Sequence, residues 1–128
     1  MFGHQGKILK VNLSTGEIRE EFYEDEFARM FLGGNGMAAK LIYDSVPPET
    51  DPLTPQNMIV FSAGPLTDTP IWGTSRGHLA SISPLTGIFG DSNFGGQFAV
   101  SQKRSGYDAI CISGKSSKPV YLQVNDSA

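Results

Sequence analysis

Cysteine is nearly absent from this 128-residue chain, whose one cysteine, Cys111, lies in the apolar run Ala109–Ile112. A lone cysteine excludes an internal disulfide and cannot by itself hold an iron–sulfur cluster. Its β-branched neighbours are typical of a buried strand, in which a thiol is inert. Disulfide and iron–sulfur chemistry are therefore excluded for this chain on its own, and the cysteine usage favours a cytoplasmic protein.

Clustered positive charge and long hydrophobic runs are also missing. The formal net charge is −3 and the basic residues do not cluster, which argues against nucleic acid as a partner. No apolar run approaches the length of a bilayer span, and the N-terminus lacks a signal-peptide pattern, so no membrane partner is expected. The hydrophobic fraction of 39% is enough for the core of one domain.

The hydrophobic pattern predicts an α+β fold, with mixed or antiparallel β-sheets and a few short helices. Alternation predicts an N-terminal hairpin, and Met58–Ala63 is apolar enough for a buried central strand. The other predicted elements are helices over residues 25–32, 37–44 and 95–105, a strand over 76–83, and a final strand pair over 107–114 and 119–124.

The segment Ile88–Gly96 is predicted to be a glycine-rich loop that leads into the third helix. Glycines let a backbone approach a ligand closely, and a helix start exposes free N–H groups that suit a phosphate. The side-chain oxygens of Asp91, Ser92 and Asn93 also suit a simple turn and helix cap. Both interpretations, a phosphate-binding loop and a structural turn, stay open at this stage.

Arg76 opens the strand that precedes this loop, and its guanidinium could bind a phosphate through two hydrogen bonds. The alternative is a surface arginine paired with a carboxylate. Asn93 could offer an amide oxygen to magnesium or could be a turn residue. His78 has no partner at metal-ligand spacing, so a hydrogen-bonded structural histidine is expected. Because the loops 64–75 and 84–96 bracket the same strand, a shared site between them is plausible.

An ordered set of short motifs resembles the N-terminal domain of the aldehyde ferredoxin oxidoreductases, which are tungsten, or sometimes molybdenum, pterin enzymes. Each motif alone is weak, whereas the ordered set is highly specific and covers almost the entire chain. The matching segments are Gly6–Gly16, Phe31–Gly36, Tyr43–Pro48, Ser62–Thr67, Ser83–Gly87, Gly90–Gly96 and Ser105–Asp108.

The resemblance implies a domain that forms a base beneath a tungstopterin, in which two pterins hold one tungsten. Carried over by motif, the cofactor-binding positions are Arg76, Asn93, Phe94 and Gly95, and Asn93 also lies at a magnesium ion that bridges the pterin phosphates. The implied reaction oxidises an aldehyde to a carboxylic acid and passes electrons to ferredoxin. The cofactor would carry the redox chemistry, while the protein supplies binding and electrostatics.

The chain departs from this family pattern in two ways. Trp72, Gly77 and His78 differ from the smaller or different residues expected around the arginine. The family protein is also several times longer, and its four-iron four-sulfur cluster belongs to the part beyond this chain. Residues 1–128 are therefore expected to be an incomplete N-terminal domain that is inactive alone and whose partners are the remaining domains. The alternative is a stand-alone, non-catalytic binding or scaffold subunit, and a homo-oligomer is left open because strand edges would be exposed.

Overall fold

A six-stranded mixed sheet organises the computed structural model, which describes residues 2–125. The strands lie in the order β2-β1-β6-β3-β4-β5. The α+β prediction is confirmed. In chain order the elements are β1 (Lys7–Asn12), β2 (Glu17–Phe22), α1 (Asp25–Phe31), α2 (Gly34–Ser45), β3 (Met58–Ala63), β4 (Gly77–Ile82), β5 (Phe89–Phe94), α3 (Phe98–Arg104) and β6 (Ala109–Ser113).

The pairing of β6 joins the two ends of the chain into one sheet. β6 is parallel to β1 on one side and antiparallel to β3 on the other, while β1–β2, β3–β4 and β4–β5 are antiparallel hairpins. The predicted partner of β6, residues 119–124, forms no strand. Leu122 and Val124 pack against the sheet through their side chains instead. The alternating apolar residues that predicted a strand therefore reflect this packing and not backbone pairing.

Helix α2 covers one face of the sheet. Met37 and Ala38 are completely buried beneath it, and Leu41 is nearly so, as the sequence predicts. The core on this face also contains Ile8, Val60, Ala80, Ala109 and Cys111. The helix begins at Gly34, three residues before the predicted start, because the first-turn N–H groups need no intrahelical partner and glycine is tolerated there.

The opposite face carries a second, smaller apolar cluster. Leu9, Val11, Tyr107 and Ile110 form it, and Phe61 packs at its border. Helix α3 covers one end of this face.

The predicted loop at 88–96 is wrong over most of its length. Phe89–Phe94 form the edge strand β5, which pairs with β4 along six residues. Helix α3 then begins at Phe98, after the N-cap residue Gln97, rather than at Gly95. Glycine, aspartate and asparagine disfavour strands locally, but the backbone of β4 supplies a ladder that local propensity cannot anticipate.

A buried ionic cluster attaches the N-terminal segment to the sheet. The Asp108 carboxylate accepts hydrogen bonds from the backbone N–H groups of Gln5 and Gly6 at 2.7 and 2.8 Å and from the Tyr23 hydroxyl at 2.6 Å. The Lys103 ammonium lies 3.8 Å from Asp108, and both side chains are at most 3% exposed. It donates to the carbonyls of Gly3 and Gly64. Because burial disfavours a charged amine, the pKa of Lys103 is lowered.

His4 belongs to the same cluster. Its Nδ1 lies 3.3 Å from the Tyr23 hydroxyl oxygen. Burial lowers the pKa of His4. Burial also raises the pKa of Tyr23, and the hydrogen bond from Tyr23 to Asp108 raises it further.

In residues 2–125 we find no helix that has both the length and the hydropathy needed to cross a membrane.

Candidate functional site

Two segments meet at one end of the sheet. The connection 64–76 joins β3 to β4 at that end, and because β5 is antiparallel to β4, its last residues return to the same place. The turn 84–87 lies at the other end of β4. The sequence predicts a site between the loops 64–75 and 84–96. In the structure the candidate site lies instead between the connection 64–76 and the C-terminal end of β5.

The connection 64–76 is held by its own hydrogen bonds. Thr67 Oγ1 donates to the carbonyl of Arg76 at 3.1 Å, and Thr74 Oγ1 donates to the carbonyls of Leu66 and Ile71 at 3.0 and 2.8 Å. Asp68 accepts two hydrogen bonds from the Arg104 guanidinium of α3, at 2.8 and 2.9 Å. The backbone just before β4 is thereby tied to the rest of the domain.

Arg76 lies at the end of this connection, immediately before β4. Its Nη1 lies 3.6 Å from where a Cβ would stand on Gly95, so the guanidinium reaches across to the segment that follows β5. Within residues 2–125 the Arg76 side chain makes no hydrogen bond or salt bridge. The alternative of an arginine paired with a carboxylate is thus not seen in the part of the chain that the structure describes.

Asn93 faces His78 across the β4–β5 ladder. Its side chain is exposed, and its amide has no hydrogen-bond partner among the described residues, so it does not cap a turn. The described residues also contain no group of three or more histidine, cysteine, aspartate or glutamate side chains that could hold a metal ion. A magnesium ion at Asn93 would therefore need most of its oxygen ligands from another source, such as phosphates and water.

Phe94 is directed away from this site by its packing. Its ring lies over Gly77 and contacts Phe61 and Phe98, with centroid separations of 6.4 and 5.7 Å. A ligand at this end of the sheet could therefore meet Phe94 only through its backbone, while the ring fixes the end of β5 on the core.

His78 is not the hydrogen-bonded structural histidine that the sequence predicts. Its Nδ1 is buried and has no hydrogen-bond partner among residues 2–125. The imidazole lies against the start of α2, where a Cβ on Gly34 would be 2.8 Å from His78 Cδ2. The only sequence signal for this contact is the pair of adjacent glycines 33 and 34, which on sequence alone end the first helix.

The segment Gly73–Gly77 has the Gly-x-Ser-x-Gly spacing of a serine nucleophile, but its structure is different. Such a nucleophile sits on a sharp turn between a strand and a helix. Here the segment leads into a strand, and Ser75 Oγ accepts a hydrogen bond from the Asp68 N–H at 3.1 Å. The spacing therefore does not indicate a hydrolase.

At this end of the sheet, an arginine that has no partner in residues 2–125, an exposed amide and an open glycine backbone are groups that suit an anionic, oxygen-rich ligand. Gly96, next to Gly95, has a φ of +82°, and a Cβ there would meet no atom within 4 Å. The residues present thus fit a phosphate group.

The sequence places this domain in a family of redox enzymes. The family model described as "Aldehyde ferredoxin oxidoreductase, N-terminal domain" matches residues 8–128, and the chain belongs to that family.

Individual relatives agree with this assignment. The tungsten-containing aldehyde ferredoxin oxidoreductase of Pyrococcus furiosus is 43% identical over 98% of this chain and 21% of its own length. The aliphatic sulfonate oxidoreductase, WOR-like subunit, of the same organism is 27% identical over 98% of this chain and 20% of its own. The chain thus spans about a fifth of the length of these relatives.

A solved structure has the same fold. It is the active site complex BamBC of benzoyl coenzyme A reductase in complex with 1,5-dienoyl-CoA. The superposition has a TM-score of 0.95 and 37% identity, and it covers 99% of this chain and 19% of that one. The sheet order and the end of β5 thus belong to an architecture that recurs in an oxidoreductase complex.

Proposed function

We propose that this domain holds the phosphate-bearing part of a tungstopterin in an aldehyde ferredoxin oxidoreductase. One observation carries the proposal: Arg76 and Asn93 are both without partners in the described part of the chain, and Arg76 reaches to Gly95. An unpaired guanidinium beside a glycine backbone is a typical environment for a phosphate.

Each residue then has a distinct part in binding. Arg76 binds phosphate oxygens through its planar N–H groups, and Gly95 lets the backbone approach without a side chain. Asn93 would supply one amide oxygen to a magnesium ion, whose other oxygen ligands would come from outside the described residues. Phe94 contributes its backbone, while its ring anchors the strand end. The bound cofactor supplies the oxygen-transfer and electron chemistry, and these residues bind and orient it.

The activity itself is proposed for a longer enzyme. The relatives named above are about five times as long as this chain. We therefore place the four-iron four-sulfur cluster, the substrate channel and the ferredoxin contact in remaining domains, and we expect residues 1–128 alone to be inactive. The names of the relatives and of the structural neighbour range over aldehydes, sulfonates and benzoyl coenzyme A, so this domain is proposed to serve the cofactor rather than to select the substrate.

Pyrophosphate binding, with and without magnesium, tests the cofactor proposal on this chain. We expect the backbone amide signals of Arg76 and Gly95 to shift in NMR spectra on addition of pyrophosphate. Arg76→Gln should weaken binding about tenfold or more, because a charged hydrogen bond is lost. Arg19→Gln removes the same charge from β2, at the far edge of the sheet, and should leave binding unchanged. Equal affinity of wild type and Arg76→Gln would contradict the proposal.

A second candidate is a non-catalytic subunit that pairs with a separate catalytic chain; the structural neighbour is part of a complex, although its own chain is about five times as long as this one. The size of the native polypeptide separates the two candidates. An immunoblot of source-cell extract with antibody to this domain should give a band several times larger than 13.8 kDa if the longer enzyme is right. A band at 13.8 kDa would favour the separate subunit.

A further inference from the structure

His78, opposite Asn93 in the β4–β5 ladder, is a third polar side chain for which the described residues provide no partner. Its Nδ1 has no hydrogen bond, and no other contact of the ring nitrogens with a polar group is found in residues 2–125. We propose that His78 is a further ligand-contacting residue of this site, which hydrogen-bonds through Nε2 to a phosphate oxygen of the bound group. This inference rests on the proposed function, since it concerns the same ligand.

The strand register puts His78 within reach of that ligand. His78 and Asn93 are direct neighbours across the β4–β5 ladder, and side chains of opposed residues stand about 5 Å apart on the same face of a sheet. Arg76 ends the connection just before β4, two residues ahead of His78, and its guanidinium reaches towards Gly95, two residues after Asn93. A phosphate held between Arg76 and Asn93 therefore lies next to the imidazole.

The start of α2 holds the imidazole in place. A Cβ on Gly34 would stand 2.8 Å from His78 Cδ2 and 3.1 Å from Nε2, so only glycine leaves room for the ring. Ser62 Oγ donates to the Gly34 carbonyl at 2.8 Å and fixes the backbone of that first turn. The ring is therefore seated between α2 and the sheet rather than free in solvent.

The two ring nitrogens have different environments. Nδ1 is enclosed by the protein, whereas Nε2, which also has no hydrogen-bond partner in residues 2–125, is not fully enclosed. Polar groups of a half-buried side chain are normally hydrogen-bonded. A histidine for which the described residues supply no partner is therefore a candidate to bind a ligand or water. The less enclosed nitrogen, Nε2, is the one that would meet the phosphate.

The test compares pyrophosphate binding by variants of the chain. His78→Leu removes both nitrogens at similar volume, and we expect binding to weaken about three- to tenfold, as for loss of one hydrogen bond. His78→Gln, which keeps a donor, should recover part of the affinity. His4→Gln removes the other histidine and should bind as wild type. The direct readout is the ¹⁵N shift of His78 Nε2, which should move with pyrophosphate and not with equal chloride.

Each outcome separates this inference from the proposed function. If pyrophosphate binds through Arg76 but His78→Leu binds equally well, or the Nε2 signal does not move, His78 is not a ligand contact and the proposed function stands. If wild type binds no pyrophosphate, both are overturned. If His78→Leu fails to fold, the Nε2 shift in wild type and the affinity of His78→Gln decide the matter.

Discussion

Because residue 77 is a glycine, the ring of Phe94 can pack over the neighbouring strand β4. A Cβ on Gly77 would stand 2.2 and 2.3 Å from two carbon atoms of that ring and 3.0 Å from the Cβ of Ala99. The glycine at residue 77 thus has a packing role, since it and the phenylalanine occupy one shared space across the β4–β5 pair.

Gly77→Ala should therefore destabilise the domain. Overpacking of this kind costs about 1–3 kcal/mol, which urea denaturation would detect as a lower midpoint. Gly64→Ala is the matched control, because a Cβ there would meet no atom within 4 Å. It should be neutral or slightly stabilising. Equal midpoints for the two variants would show that the Phe94 ring is not confined by Gly77.

Lys103 is a buried cation that lies opposite the Asp108 carboxylate. Lys103→Met removes the buried cation opposite Asp108 and leaves the Gly3 and Gly64 carbonyls without their donor. Removing one partner of a buried ion pair costs about 3–5 kcal/mol. Lys40→Met breaks the exposed pair with Asp44 and should cost about 1 kcal/mol or less. Similar losses in both variants, measured by urea denaturation, would contradict the buried role of Lys103.

At the scale of elements, β6 is the strand on which both apolar clusters depend. It lies between β1 and β3, with Cys111 on the face that α2 covers and Ile110 on the opposite face. A central strand exposes its side chains only when the sheet opens, so its thiol reports on the opening of the core.

Cys111 should accordingly resist thiol reagents in the native domain. Burial raises its pKa to about 12, so almost no thiolate is present near neutral pH. We expect labelling by a chromogenic disulfide at about pH 8 to be at least a hundredfold slower than for free cysteine. In denaturing urea the rate should become that of free cysteine. Fast native labelling would mean that α2 leaves the sheet readily.

Strand β5 shows how an element can carry a site at a sheet edge. Its end residues, Phe89 and Phe94, pack towards the two faces of the sheet, and Asp91, Ser92 and Asn93 between them are exposed. The edge position leaves the Asn93 side chain exposed, and the hydrogen-bonded ladder with β4 fixes Asn93 directly opposite His78.

At the scale of the whole molecule, two exposed carboxylates contact residues that are far away in the sequence. Glu20 of β2 accepts a hydrogen bond from Tyr107 and pairs with Lys7, and Asp68 pairs with Arg104. These contacts lower the pKa of Glu20, chiefly through Tyr107, and that of Asp68, chiefly through Arg104.

Stability should therefore fall in acid. A carboxyl with a lower pKa in the folded state stabilises fully above its unfolded pKa of about 4, and that contribution is lost as pH falls through the folded value. Urea midpoints should be lower near pH 3 than near pH 6. Arg104→Gln should show a shallower decline, because the pKa of Asp68 is then less depressed, whereas Arg19→Gln should decline as wild type does. A decline in Arg104→Gln as steep as in wild type would exclude a contribution from the Asp68 pair.

The sequence predicted most of the residues of the candidate site, but it did not predict how they are arranged in space. The sequence pointed to Arg76, Asn93 and Gly95, because their types and motifs suit a phosphate. Their contacts stay a prediction to be tested by binding. The sequence could not show that His78 Nδ1 is buried without a partner among residues 2–125, since the ring lies against Gly34, 44 residues earlier in the chain.

The sequence by itself determined the family, the α+β class, the N-terminal hairpin, the core-facing residues of α2 and the burial of Cys111, because these depend on motif order and on local periodicity. Only the tertiary structure decided that 89–94 is an edge strand, that 119–124 is not a strand, and that the side chains of Arg76, His78 and Asn93 have no hydrogen-bond partner among residues 2–125. The physical reason is that strand pairing and side-chain partners are non-local: β4 supplies the ladder for β5, and neighbours far away in sequence either satisfy a polar group or leave it open.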